Sequence, residues 1–146
     1  MKLKLLVCLI SLHLCLYSGL CMTDGCQELM LVVDDSAVVR RSTAMLIEAI
    51  GYKSVEAENG KQALDRIKEN PLISFVITDF DMPEMDGKKL IECIYGSMPI
   101  VLMSAHVAKD IIKEYRCVFF LPKPFSVEEL KAAILSARNL FQGKFN

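Results

Sequence analysis

Neither charge sign dominates this chain: 17 Lys and Arg stand against 18 Asp and Glu, a formal net charge of −1. There is no basic block and no interleaving of basic with aromatic residues, so nucleic acid is excluded as the main partner. Cysteine is scarce where a scaffold would need it. Cys8, Cys15, Cys21 and Cys26 fall near the start, leaving only Cys93 and Cys117 in the body. That is no disulfide framework, and reduced thiols in the cytoplasm are expected. Repeats, linkers and low-complexity tracts are absent too. With 146 residues, the chain reads as one domain able to bury a core without covalent or metal staples.

What it has in excess is apolar residues, 53% of the total, above the usual share for a soluble domain. Met1–Met22 accounts for this. Lys2 and Lys4 precede an apolar run from Leu5 to Leu20, the grammar of a signal peptide or short anchor. No clean Ala-x-Ala cleavage site follows, and Leu20 precedes Cys21 where a lipoprotein-type site wants a small residue. Three origins compete: an export signal or anchor, an anchor facing the cytoplasm against the positive-inside rule, and upstream sequence ahead of a true start at Met22. The last is adopted, because Met22–Glu28 makes an ordinary polar lead-in. Membrane contact or export then holds only if the first segment is real.

From Glu28 onward strand and helix signals alternate. Leu29–Val33 is a continuous apolar run, as expected of a strand buried on both faces. Asp35 and Ser36 can cap a helix whose apolar stripe reads Val38, Val39, Met45, Leu46, Ala49 and Ile50, closed by Gly51. Strand Lys53–Ala57 leads through Asn59–Gly60 into helix Lys61–Glu69, with Ala63, Leu64 and Ile67 inward. Strand Ile73–Thr78 is followed by the loop Asp79–Asp86 and a helix from Gly87 that uses Leu90, Ile91 and Ile94. Strand Pro99–Met103, a short helical stretch Val107–Tyr115 and strand Cys117–Leu121 come next. Ser126 caps a final helix with Leu130, Ala133, Ile134, Ala137 and Phe141 at helical spacing. Five strands alternating with five helices imply an α/β domain with a parallel sheet covered on both faces.

Four of these strands end on chemistry. The first stops at Asp34–Asp35, the third at Asp79, the fourth at Ser104, and the fifth runs into Pro122–Lys123–Pro124–Phe125. Each residue alone has an ordinary explanation: helix cap, turn starter, strand-end hydroxyl, surface lysine. At one end of parallel strands they converge on the crevice where open α/β sheets bind ligands. Three carboxylates crowded there repel unless a cation intervenes, and Mg²⁺ suits few carboxylates plus waters. A hydroxyl and a mobile ammonium beside the cation suit a phosphoryl group, and a carboxylate can be the nucleophile that accepts it.

The segments Leu31-Val32-Val33-Asp34-Asp35-Ser36, Ile77-Thr78-Asp79-Phe80-Asp81-Met82-Pro83-Glu84-Met85-Asp86-Gly87, Leu102-Met103-Ser104-Ala105 and Leu121-Pro122-Lys123-Pro124-Phe125 closely resemble the motifs of response-regulator receiver domains. The resemblance spans residues 27–142 and leaves no room for an output domain. It implies a flavodoxin-like doubly wound sheet of order 2-1-3-4-5. It further implies phosphorylation of Asp79 by a histidine kinase or histidine phosphotransfer protein, and Mg²⁺ held by Asp34, Asp35, Asp79 and the Asp81 backbone carbonyl. Ser104 and Lys123 would bind the phosphoryl group, with Phe120 as the associated switch aromatic, and the Lys123–Pro124 bond would be cis. A downstream protein target, and a second copy of the chain, are the other implied partners. The role is regulatory rather than enzymatic beyond self-phosphotransfer and autodephosphorylation.

Departures from the family pattern cluster on one side. Phe120 stands where Tyr is frequent, Tyr95-Gly96-Ser97-Met98 is compact, and Tyr115-Arg116-Cys117 replaces a turn of small residues. His106 and Asp81 occupy positions that tune the lifetime of the phosphorylated state in the family. Two other functions compete with this one. Asp79-Phe80-Asp81 resembles the Asp-x-Asp of haloacid-dehalogenase-like phosphatases, but those carry it after the first strand. An exported or anchored binding module follows only from a real Met1–Met22 segment. An EF-hand over Asp79–Gly87 fails on spacing.

Overall fold

Strand β1 (Leu29–Val33) shows how the domain is layered. Met30 and Val32 enter one buried cluster, and Leu31 and Val33 enter another. A period-2 element that is apolar at every position must be covered on both sides. A computed structural model describes residues 28–105 and 113–143 and supplies that cover. Its elements are β1, α1 (Ala37–Ala49), β2 (Lys53–Ala57), α2 (Gly60–Glu69), β3 (Ile73–Asp79), α3 (Gly87–Ile94), β4 (Ile100–Ser104), β5 (Val118–Pro122) and α4 (Val127–Gly143). Ala44 and Ile47 of α1 share a core with Leu130, Ala133, Ile134 and Ala137 of α4. Ala63 of α2 and Leu90, Ile91 and Ile94 of α3 fill the other.

The strands run parallel in the order β2-β1-β3-β4-β5, the flavodoxin-like arrangement. Register decides what the carboxyl edge presents. Val33 pairs with Thr78, Asp79 with Met103, and Ser104 with Pro122. Asp34, Asp79, Ser104 and Lys123 therefore lie on one edge. β3 and β4 each end one residue later than the apolar runs suggest, at Asp79 and Ser104. The reason is backbone pairing: Phe80 N–H donates to Met103 O at 3.1 Å, and Lys123 N–H donates to Ser104 O at 2.9 Å. The Lys123–Pro124 peptide is cis, as the resemblance implies.

Helix α1 corrects the sequence reading. Ser36 is its N-cap, accepting from Val39 N–H, but the buried residues are Thr43, Ala44 and Ile47. Val38 and Met45 are 77% and 58% exposed. The inward register runs through Arg40, Thr43, Ala44 and Ile47, at i, i+3, i+4 and i+7. Arg40 holds that rotation by donating to the Asp34 carbonyl and the Glu56 carboxylate, which counting apolar residues cannot see. Leu46 and Ile50 keep partial contact with the core. On the other described helices Ala63, Leu90, Ile91, Ile94, Leu130, Ala133, Ile134 and Ala137 are buried as expected, whereas Leu64, Ile67 and Phe141 are only partly covered. The stretch 107–115 lies largely outside the described residues, as does Met1–Met22.

The loop between β3 and α3 is clamped by two glycines. Gly60 N–H donates to Met85 O at 3.0 Å, and Gly87 N–H to Phe80 O at 2.9 Å. A Cβ on Gly87 would stand 2.2 Å from the Asp79 carbonyl oxygen. Helix propensity by itself favours Ala over Gly by up to about 1 kcal/mol, but that contact is with rigid backbone, so the clash wins. We expect Gly87→Ala to destabilise the domain by about 2 kcal/mol or more. Urea unfolding would read this as a lower midpoint at an unchanged m-value; a midpoint at or above wild type would refute the packing argument.

Candidate functional site

Asp34 follows the last residue of β1 and is 1% exposed. A buried carboxylate is tolerated only when its oxygens are satisfied, and these are. Its Oδ1 accepts from Ser36 N–H at 2.9 Å and its Oδ2 from Lys123 Nζ at 2.7 Å. Its backbone is held as firmly: N–H donates to Ala57 O at 3.2 Å, and the carbonyl accepts from Arg40 Nη1 at 2.7 Å. Asp35, the next residue, is exposed. Asp79 ends β3 with its side chain largely covered, and its Oδ1 accepts from Lys123 Nζ at 2.8 Å. Its carbonyl accepts from Thr78 Oγ1 at 2.9 Å.

The structure thus gathers Asp34, Asp35, Asp79 and Lys123. One oxygen from each carboxylate lies within 4.8 Å of the others. One ammonium faces three acids, so negative charge is left over. The donor set is all carboxylate oxygen, and exposed Asp35 leaves the solvent side open to water, which fits a hard divalent cation of the Mg²⁺ type. Ser104 is buried at the end of β4, one residue past the Asp79–Met103 rung. Asp81 is exposed at the loop's start. Phe120 lies mid-strand opposite Leu102, two rungs below the edge and half-buried. His106 lies outside the described residues.

Both members of the central pair have raised pKa values, although an ion pair alone would lower the acid's. Burial pushes the Asp79 carboxyl above its ordinary value; Lys123 pulls it back, but burial together with the Asp34 charge prevails. For Lys123, burial would lower the pKa, yet hydrogen bonds to both Asp34 and Asp79 hold it above the ordinary value. The lysine has two acids to itself, whereas each acid has only a share of the lysine.

Sequence reasoning missed three contributors. Arg40 carries no motif signal, being one of two adjacent arginines on a surface-like helix. Thr78 reads as an ordinary strand residue. Gly87 did have a signal, a glycine opening a helix directly after an acidic loop, which marks close backbone approach.

The family model of the response regulator receiver domain matches residues 30–135. The chain belongs to that family. Receiver domains are regulatory modules, and the relatives fit. A chemotaxis protein CheY homolog of Campylobacter jejuni is 33% identical over 111 residues, covering 70% of this chain and 85% of that protein. Chemotaxis protein CheY1 of Helicobacter pylori is 32% identical over 111 residues, covering 70% and 90%. Chemotaxis protein CheY4 of Vibrio cholerae shares the receiver fold, with a TM-score of 0.69 at 24% identity over 76% of this chain and 98% of that one.

The raised Asp79 pKa has a consequence for the metal-free receiver. The native state binds this proton more tightly than the unfolded chain does. Its contribution is therefore fully present below the ordinary carboxylate range and is lost as pH rises through the raised native value. Asp79→Asn removes that loss. In chelator-containing buffer, the Tm of Asp79→Asn minus that of wild type should grow between about pH 4 and pH 7. A difference independent of pH would contradict the assignment.

Proposed function

We propose that this receiver accepts a phosphoryl group on Asp79, with Mg²⁺, from a histidine kinase or histidine phosphotransfer protein. It then signals by a conformational switch to a protein partner or passes the group onward. The observation that carries this is Lys123 Nζ bridging Asp34 and Asp79 within a three-carboxylate cluster. An Asp79 oxygen attacks phosphorus, the P–N bond of the donor histidine breaks as the P–O bond forms, and the departing imidazole takes a proton from solvent. Asp34, Asp35, Asp79 and the Asp81 carbonyl would hold the cation, which when bound neutralises charge on the phosphoryl oxygens. Lys123 then moves its hydrogen bond from Asp79 to a phosphoryl oxygen, and the Ser104 hydroxyl donates to another, with Phe120 responding to the Ser104 shift.

Kinase-dependent signalling of this kind places the domain in the cytoplasm. Its partners are the kinase or phosphotransfer protein, a downstream protein, and a second copy of the chain in the phosphorylated state; the chemotaxis names of its relatives make a chemotaxis target one natural class. Asp79 lies on the third strand in sequence, which favours this reading over a haloacid-dehalogenase-like phosphatase.

Acetyl phosphate and Mg²⁺ should label Asp79, with intact-mass spectrometry showing one added phosphoryl group. Asp79→Asn should abolish labelling. Asp35→Ala should weaken the Mg²⁺ requirement's half-saturation by about tenfold or more. Undiminished labelling of Asp79→Asn would move the site elsewhere, and metal-independent labelling would remove Asp35 as a ligand.

A further inference from the structure

Asp35 contributes its carboxylate to the cluster from an exposed position, so its aim must come from its backbone. That backbone is gripped from one side. Arg40 Nη1 donates to the Asp34 carbonyl at 2.7 Å, and Arg40 Nε donates to Glu56 Oε2 at 3.3 Å. The Asp34 carbonyl belongs to the same planar peptide unit as the Asp35 N–H and Cα. Holding its oxygen fixes that plane, and with it the point from which the Asp35 side chain departs. Because Asp34 is also tied through its own N–H, Oδ1 and Oδ2, little freedom remains in the pair.

The guanidinium suits this task. Its side chain is only 17% exposed, and its planar fork lets separate nitrogens reach α1's two neighbours at once, the carboxyl ends of β1 and β2. Glu56 does more than anchor it. It also accepts from Arg41 Nη1 at 2.9 Å, and its negative charge offsets the arginines behind a site meant to attract a cation.

We propose that Arg40, braced by Glu56, is a positioning residue for divalent-cation binding: it orients the Asp34–Asp35 peptide so that the Asp35 carboxylate meets those of Asp34 and Asp79. This rests on the phosphoacceptor reading above, in which the carboxylate cluster holds Mg²⁺. Groups that orient ligands are worth about 10–100-fold in metal affinity, and the loss should appear in affinity rather than in maximal phosphotransfer.

The test is calorimetric titration with Mg²⁺ alone on the wild-type chain, Arg40→Met and Arg40→Lys, at a temperature where circular dichroism shows each folded. Arg40→Met should bind about tenfold or more weakly. Arg40→Lys keeps the charge but not the fork, and should fall between the two. Acetyl phosphate labelling of both variants should return to the wild-type rate at saturating Mg²⁺, which a merely misfolded site would not do. Wild-type Mg²⁺ affinity in Arg40→Met overturns the proposal while leaving the phosphoacceptor reading intact. Should Arg40→Met fail to fold, wild-type affinity in Arg40→Lys overturns it, and a loss of about twofold or more supports it. Absence of Mg²⁺ binding by the wild-type chain itself sinks the parent reading.

Discussion

A single ammonium shared between two carboxylates organises the carboxyl edge of this domain. Lys123 reaches Asp34 and Asp79 from 89 and 44 residues away in sequence, and so joins the ends of β1, β3 and β5. The bridge is poor evidence for stability, because desolvating three charged groups offsets much of their attraction. Its value is arrangement. Asp34 is buried so deeply that its oxygens must be satisfied by fixed donors, and Lys123 and the Ser36 N–H are those donors. The turn at the end of β1 and the one at the end of β5 therefore cannot move independently.

The interior leaves the edge as the place for chemistry. Side chains inside β1, β3 and β4 alternate between two apolar clusters, and both are closed by helices. Only residues at or beyond the last rung escape that commitment. The backbone around Asp79 is packed to the same standard as the core. Gly87 sits against the Asp79 carbonyl with no room for a methyl group, and Gly60 meets Met85 in the same manner. The loop between β3 and α3 thus has its shape imposed from both helices α2 and α3.

Much of this was legible in residues whose burial or chemistry leaves few options. A run such as Leu29–Val33 can only be a strand covered on both sides, and four polar strand ends in order form a signal that no single one carries. Legibility failed where polar groups decide packing. The rotation of α1 follows from Arg40 reaching a backbone carbonyl, a partner invisible in any pattern of apolar residues, so exposed Val38 and Met45 looked like core. The extra residue on β3 and on β4 is likewise a matter of backbone pairing across strands distant in sequence.

The same imbalance that strains the resting site makes it responsive. Three acids and one lysine leave a negative excess that burial makes more costly. A divalent cation would relieve it without displacing any element, because the carboxylates already converge. On the proposed reading, a phosphoryl group on Asp79 would bring about two further negative charges to a lysine that gives two of its three N–H donors to Asp34 and Asp79. An ammonium has three N–H donors, so Lys123 could bond a phosphoryl oxygen and still keep Asp34. Phosphorylation would tie up one Asp79 oxygen in the P–O bond and remove that carboxylate's charge, so of the two existing bonds the one to Asp79 is the one that would weaken. Because Lys123 adjoins the Ser104–Pro122 rung of β4 and β5, such a change of partner would reach the β4–β5 side of the sheet and, through the Lys123–Asp34 bond, the Asp34 turn that four hydrogen bonds hold in place.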